Sequence, residues 1–281
     1  MVKQKKILLL LLILLNSNLF AKIDVVASIL PIKTFVEKIG GDKVNITLMV
    51  KPGNSPHTYE PKPSQMKQIT KAKLYFAIGV EFENVWLKRF HNLNKNMKII
   101  YLDNGIKKLP ITKHSHSNKK HKGLDPHIWT APQNVKVIAK NIYQALIYKD
   151  NNNIKYYKAN YEKFLKEIYE VEYEIKHILK NSQGAKFMVF HPAWGYFAKQ
   201  FHLEQIAIEV GGKNPKPKQL IQLIKEAKKE KVSAIFTAPE FSEKAAKQIA
   251  RAVGVLVVKI SPLDPNWSKN LIKLAKAIAK R

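Results

Sequence analysis

The sequence predicts an α/β protein of two similar lobes, each a four-stranded, mainly parallel sheet flanked by helices, joined by one long rigid helix. Three observations support this fold class. Short apolar runs alternate with helical patterns, which is the order typical of parallel sheets. The eight runs divide four and four around a long amphipathic segment. The length of 281 residues also suits two domains, at roughly 100–200 residues each.

Eight runs rich in Val, Ile and Phe have the composition of strands buried on both faces. In the first half of the chain they are residues 23–29, 44–50, 74–79 and 98–102. In the second half they are residues 187–190, 205–210, 234–237 and 255–260.

Four shorter helices follow from apolar residues at helical spacing between these runs. They are residues 32–39, 64–71, 218–230 and 242–253. Gly40 and Gly41 end the first of them, and Ser64 and Ser242 are predicted N-caps of the second and fourth.

A longer helix is predicted over residues 153–180, where apolar residues recur every three or four positions. A helix of about 28 residues would be about 42 Å long, which exceeds one small domain and indicates a bridge between lobes. We therefore expect an N-terminal lobe at 22–150, a linking helix at 151–183 and a C-terminal lobe at 184–281.

The first 21 residues have the pattern of a cleaved export signal. Three lysines precede an unbroken Leu/Ile run at 7–15, and Ala21 offers a cleavage point. The run is shorter than the roughly 20 residues of a membrane span, although an uncleaved signal anchor stays an alternative. Because no cysteine follows, we expect no lipid anchor at this point and predict a periplasmic location.

Composition excludes several classes of function. The chain has no cysteine, so disulfides, thiolate metal sites and cysteine nucleophiles are absent. Its formal net charge is +28, from 49 Lys and Arg against 21 Asp and Glu. Only three of the 49 basic residues are arginine. Arginine is the residue suited to bidentate phosphate and base contacts. We therefore predict a solvated lysine-rich surface and no nucleic-acid partner, with contact to an anionic membrane or partner as the alternative.

Three of the nine histidines lie beside prolines in loops, and two of these loops follow predicted strands. His57 follows the second strand, His127 lies in the segment Asp125-Pro126-His127, and His191 follows the first strand of the second half. Ligands of open α/β sheets bind outside the carboxyl ends of the strands. Three neutral imidazoles converging there would form a zinc site, whereas surface histidines are an equal interpretation of the spacing alone.

Several motifs in order resemble the metal-binding proteins of zinc and manganese ABC importers, the cluster A-I group with its ZnuA-like periplasmic members. The likeness extends over residues 22–281. The matching segments are PGNSPHTYE at 52–60, DPHIW at 125–129, FHPAWGYF at 190–197, EVGGKNPKP at 209–217 and FTAPEF at 236–241.

This resemblance implies two α/β lobes joined by a rigid helix, with the metal between them and with His57, His127 and His191 as ligands. It implies a non-enzymatic carrier that captures one Zn²⁺ and hands it to the membrane permease of an ABC importer. A monomer would suit such a diffusing carrier. A manganese-binding or broader-specificity protein of the same family is one alternative. Less favoured are an exported zinc hydrolase, because no HExxH motif is present, and a cell-surface adhesion protein.

The fourth ligand is where the chain departs from the family. Manganese-type members carry a carboxylate on the last strand, and Ser261 occupies that position here. Three imidazoles without that carboxylate favour zinc, because manganese prefers oxygen donors. The fourth position is left open between water, Glu60, Glu240 and Asp264.

Two further groups of residues are of interest. The short loop at 113–123 contains His114, His116 and His121 and resembles the longer histidine-rich loops of zinc-type members. It is either an accessory metal trap or a plain exposed loop, and its four lysines oppose metal capture. The aromatic residues Trp129, Trp194 and Tyr196 are expected either around the site or in the packing of the lobes.

Overall fold

The structure, a computed structural model, describes residues 22–111, 123–210 and 212–279. The predicted signal peptide at 1–21 and the loop histidines His114, His116 and His121 lie outside the described residues. Among the helices that are described, none combines the length and the hydropathy that a membrane span requires.

The first sheet contains four parallel strands in the order β2-β1-β3-β4. They are β1 (Ile23–Ala27), β2 (Val44–Leu48), β3 (Leu74–Ala77) and β4 (Lys98–Tyr101). All four side chains of the inner strand β3 are buried, as expected for a sheet covered on both faces.

The second sheet repeats this arrangement in the order β6-β5-β7-β8, again with every pair parallel. Its strands are β5 (Lys186–Val189), β6 (Glu204–Ala207), β7 (Ile235–Thr237) and β8 (Val257–Lys259). The predicted fold class of two four-stranded parallel sheets flanked by helices is therefore confirmed.

Nine α-helices lie within the described residues. They are α1 (Leu30–Gly40), α2 (Pro63–Ile69), α3 (Glu81–Leu93), α4 (Pro132–Lys149), α5 (Ile154–Ile178), α6 (Gly195–Gln200), α7 (Pro217–Lys229), α8 (Lys244–Val253) and α9 (Trp267–Ala279). Short 3-10 turns occupy Gly41–Lys43, Ile128–Thr130 and Asn151–Asn153.

Both predicted serine N-caps are wrong. Helix α2 begins one residue earlier, at Pro63, because proline has no N–H to lose at the first helical position and its ring fixes a helical φ. Ser64 therefore lies inside the first turn. Helix α8 begins at Lys244 with Glu243 as its N-cap residue, and the Ser242 hydroxyl accepts a bond from Lys244 N at 3.4 Å.

Helix α5 is the predicted long helix, with 25 residues and a length of about 38 Å at 1.5 Å per residue. Its apolar stripe packs against α1, α4 and α9, which belong to both halves of the chain. Phe35 of α1 shows this best, since its ring lies 5.4 Å from Phe164 of α5 and 5.6 Å from Trp267 of α9. The larger of two hydrophobic cores consequently extends through both halves, and the smaller one lies within the C-terminal half. The domain boundaries at 150 and 183 stay a prediction.

Two tryptophans join the halves beside the carboxyl ends of the strands. Trp129 Nε1 donates a hydrogen bond to the Pro262 carbonyl, and Trp267 Nε1 donates one to the Trp129 carbonyl, both at 2.8 Å. Both side chains are almost fully buried. Together the two bonds hold the segment around residue 129 against the one that follows β8.

Candidate metal centre

The three predicted histidines come together at the carboxyl edges of the two sheets. His57 lies between β2 and α2, His127 between β4 and α4, and His191 two residues after β5. His191 Nε2 is 3.2 Å from His57 Nε2 and 3.3 Å from His127 Nε2. One ligand atom from each residue fits within 4.8 Å of the others. The structure thus brings together residues that are 70 and 64 positions apart in sequence.

A carboxylate binds the other nitrogen of each ring. Nδ1 is 2.9 Å from Glu81 Oε1 in His57, 2.7 Å from Asp125 Oδ1 in His127 and 3.0 Å from Glu209 Oε1 in His191. An ionised carboxylate only accepts hydrogen bonds, so these contacts place the proton on Nδ1 and leave the Nε2 lone pairs facing one another. Three lone pairs aimed at one point are suited to a cation.

The His127 segment is held most firmly. The Asp125 carboxylate accepts hydrogen bonds from both the His127 ring and the His127 main-chain N–H, the latter at 2.9 Å. Asp125 is 3% exposed. Its carbonyl accepts a bond of 2.7 Å from the Tyr196 hydroxyl of α6. A helix of the second half therefore supports a loop of the first.

The His191 and His57 rings are positioned by the ends of regular elements. Glu209 lies two residues after β6, and its N–H donates to the Phe190 carbonyl at 3.0 Å. Because β5 and β6 are neighbours in the sheet, their carboxyl ends bring Glu209 beside His191. Glu81 is the first residue of α3, which follows β3. The sequence analysis identified none of the three carboxylates, because the roles of Glu81 and Glu209 depend on contacts between separate segments.

Aromatic side chains enclose the imidazoles. The Phe241 ring stacks on His191 with centroids 5.0 Å apart, and the Trp129 ring lies 5.3 Å from His127. Trp129 lines the site as one interpretation expected. Trp194 instead packs in the core, whereas Tyr196 acts on the site through Asp125. Phe241 was not singled out, although it ends the motif at 236–241.

A small cavity of about 20 Å³ adjoins the three rings, which is room for a single ion or water molecule. Glu81 and Glu240 are the carboxylates on its wall. A second cavity of about 470 Å³ opens beside it and shares all three histidines. The site is thus partly enclosed, with the His57 side chain 31% exposed and those of His127 and His191 10% and 14% exposed.

The three acidic candidates for a fourth ligand occupy different places. Glu240 lines the small cavity, and its carboxylate accepts a hydrogen bond from the Ser261 hydroxyl. Glu60 lines a separate surface pocket together with Lys51 and Lys62. Asp264 Oδ1 accepts a bond of 2.7 Å from Asn266 N, ahead of α9. Glu240 is therefore the one of the three that the structure places beside the histidines.

The protonation of the rings follows their surroundings. Burial lowers the pKa of His191, although Glu209 acts in the opposite direction. The hydrogen bond to Glu81 raises the pKa of His57. Burial would raise the pKa of Glu81, but its hydrogen bond to His57 leaves that pKa below the usual value. His191 therefore keeps a free Nε2 lone pair to lower pH than His57 does.

A family model described as "Zinc-uptake complex component A periplasmic" matches residues 25–281. The chain belongs to this family. The family consists of periplasmic or extracytoplasmic substrate-binding transport proteins. Similar solved structures include a crystal structure of ZnuA, with a TM-score of 0.85, 40% identity and coverage of 92% of this chain and 98% of that one. A ZnuA deletion mutant with zinc bound gives a TM-score of 0.83 at 40% identity, covering 92% and 97%.

The curated relatives of this chain include proteins named for zinc and proteins named for manganese. The zinc-binding protein AdcA of Streptococcus pyogenes serotype M3 is 25% identical over 89% of this chain and 52% of its own length. The manganese ABC transporter substrate-binding lipoprotein PsaA of Streptococcus pneumoniae is 27% identical over 82% of this chain and 76% of its own length. The chain thus spans about half the length of AdcA.

Proposed function

We propose that this protein captures one Zn²⁺ outside the cytoplasm and delivers it to the membrane permease of an ABC importer. The observation that carries the proposal is the convergence of the Nε2 atoms of His57, His127 and His191, each ring being held at Nδ1 by a carboxylate. Membership of the substrate-binding family supports the transport role.

The ligand chemistry favours zinc over manganese. Three imidazoles are good donors to zinc, whereas manganese prefers carboxylate, carbonyl and water oxygens. Glu81, Asp125 and Glu209 add negative charge behind the rings without occupying positions on the ion, and such partners raise the basicity of the ligands. A manganese-binding function is the alternative, because the relative PsaA is named for manganese.

Release of the ion is expected to depend on loops. Helix α5 packs on helices of both halves, and the pair Trp129 and Trp267 links them again beside the site. A wide hinge opening would break these buried contacts. We therefore expect delivery to involve movement of the loop that carries His57, the most exposed of the three rings.

The test is a titration of the chelator-stripped chain that starts near Lys22, with zinc and manganese in parallel. We expect one tightly bound zinc per chain and a higher unfolding temperature, because an ion that binds the folded state alone stabilises it. Binding should disappear in a variant with alanine at His57, His127 and His191. The control is His177→Ala, on the exposed face of α5.

Retention of tight zinc binding by the triple variant would contradict the proposed site. Tighter binding of manganese than of zinc would select the manganese alternative. A panel of esters and peptides, assayed with the zinc-loaded chain, tests the hydrolase alternative.

A further inference from the structure

We propose that Glu240 is the fourth ligand of the metal centre, and that Ser261 is its positioning residue. This inference rests on the proposed function, because it concerns the same site. It selects one carboxylate from the candidates that the sequence leaves open.

The two residues meet because of the register of the second sheet. Thr237 of β7 pairs with Lys259 of β8, and the Ile260 N–H donates to the Thr237 carbonyl at 2.8 Å. Glu240 is the third residue after Thr237, and Ser261 is the second residue after Lys259. Adjacent parallel strands therefore deliver both side chains to the same edge of the sheet.

A tight turn sets the direction of Glu240. The Phe241 N–H donates to the Ala238 carbonyl at 3.0 Å, which places Pro239 and Glu240 at the two central positions of the turn. Proline favours the first of these positions because its ring fixes φ. The next residue, Phe241, stacks on His191. The turn is thereby anchored on one of the proposed ligands.

Ser261 holds the carboxylate at the wall of the cavity. Its Oγ lies 3.1 Å from Glu240 Oε1 and 3.4 Å from Oε2, and it accepts a bond of 3.0 Å from Leu263 N. A hydroxyl has one proton, and because the Leu263 contact uses a lone pair, that proton points to Glu240. A carboxylate has lone pairs for both a metal ion and a hydroxyl donor, so the two contacts are compatible.

Glu81 is the other carboxylate on the same wall. Its Oε1 binds Nδ1 of His57, on the side of the ring away from Nε2, and its Oε2 is buried with no hydrogen-bond partner among the described residues. The bond to His57 assigns Glu81 to the support of that ring, and Glu81→Gln is therefore compared with Glu240→Gln in the test below. With Glu240 as ligand, each half of the chain would supply two donors, and one negative charge would reach the ion directly. An uncompensated buried dication is costly.

The test compares zinc affinity, by competition with a chelator, in the full mature chain and in single variants. We expect Glu240→Gln to weaken zinc binding by at least the roughly 10- to 100-fold that loss of an outer-shell partner costs. Glu60→Gln, which makes the same chemical change outside the site, should bind as the unaltered chain does. The thermal unfolding of each chelator-treated variant checks that it is folded.

The visible spectrum of bound Co²⁺ distinguishes a ligand from a supporting residue, since it depends on the coordination of the ion. Glu240→Gln should change it, whereas Glu81→Gln should keep its form. Ser261→Ala should weaken binding and Ser261→Thr, which retains the hydroxyl, should restore it.

Affinity and Co²⁺ spectrum unchanged by Glu240→Gln would overturn this inference. If Glu240→Gln had no effect while the triple histidine variant lost zinc binding, the inference on Glu240 would fail and the proposed function would stand. Persistent binding in the histidine variant would instead refute the proposed function itself.

Discussion

The Tyr196 hydroxyl donates a hydrogen bond of 2.7 Å to the carbonyl of Asp125, 71 residues away in sequence. The same hydroxyl accepts a bond of 3.0 Å from Leu109 N. Tyr196 thus connects α6 both to Leu109 and to the segment that bears His127. A residue outside the ligand set is therefore placed to govern the geometry of the site.

Replacing Tyr196 with Phe should remove both bonds while keeping the buried ring. We expect a loss of about 1–3 kcal/mol in the free energy of unfolding, because the Leu109 N–H and the Asp125 carbonyl lose a partner. Zinc affinity should fall as the His127 segment loosens. Urea unfolding and a zinc titration measure the two effects. Unchanged zinc binding in a destabilised variant would confine Tyr196 to a structural role.

Replacing Glu209 with Gln should weaken zinc binding by about 10- to 100-fold, the usual cost of losing an outer-shell partner. The amide can present its NH₂ group to His191 Nδ1, which would move the ring proton to Nε2 and remove the lone pair. The measurement is a competition titration. Glu204→Gln is the matched control, because Glu204 forms an ion pair with Lys186 on the exposed part of the same strand pair. Equal affinities for the two variants would contradict the role of Glu209.

Glu83 should make stability fall as pH rises from about 4.5 to about 7. Burial raises its pKa to about 7, against the opposing effect of hydrogen bonds from Ser28 and from the main chain at residues 78–80. Below about pH 4.5 the carboxyl is protonated in both the folded and the unfolded chain. As pH rises, the unfolded chain loses this proton first, so folding becomes less favourable by about 3 kcal/mol across the window.

The measurement for Glu83 is urea unfolding of the chelator-treated chain at several pH values between 5 and 8. Because other groups titrate in this range, the informative quantity is the difference between the unaltered chain and Glu83→Gln. That difference should vary with pH in the stated direction. A difference independent of pH would show that Glu83 titrates at the same pH in the folded and unfolded states.

Replacing Phe164 with Ala should lower the free energy of unfolding by about 3–5 kcal/mol, as expected for a large buried aromatic. Phe164 is 2% exposed and lies against Phe35. Since one core extends through both halves, we expect a single unfolding transition by circular dichroism and by fluorescence. Tyr173→Ala, at a 75% exposed position of the same helix, should change stability by less than about 0.5 kcal/mol. Two separated transitions would argue against a shared core.

Local patterns were sufficient to predict much of this fold. All eight strands and the long helix correspond to predicted segments, because buried parallel strands and an amphipathic helix each leave a periodic apolar signature. Helices α3, α4, α6 and α9 were not predicted. In α4 the buried Val135, Ile138, Ile142 and Leu146 recur at three and four positions, so a signal was present there.

The candidate site was likewise predicted only in part from the sequence. His57, His127 and His191 were identified from the sequence, because each lies beside a proline in a loop and within a family motif. Their convergence and their carboxylate partners depend on the tertiary structure. Glu81 lies 24 residues from His57, and Glu209 lies 18 residues from His191. No sequence spacing indicates which ring nitrogen such an acid will meet.

The sequence by itself determined the strand and helix order, the family and the three histidines, because these depend on local composition and on motifs. The tertiary structure alone decided that Glu81 and Glu209 bind the His57 and His191 rings and which way each Nε2 points. It also decided that Glu240, and not Glu60 or Asp264, lies at the cavity wall. Those features arise where the carboxyl ends of separate strands meet, and the register of the sheets sets the distances there.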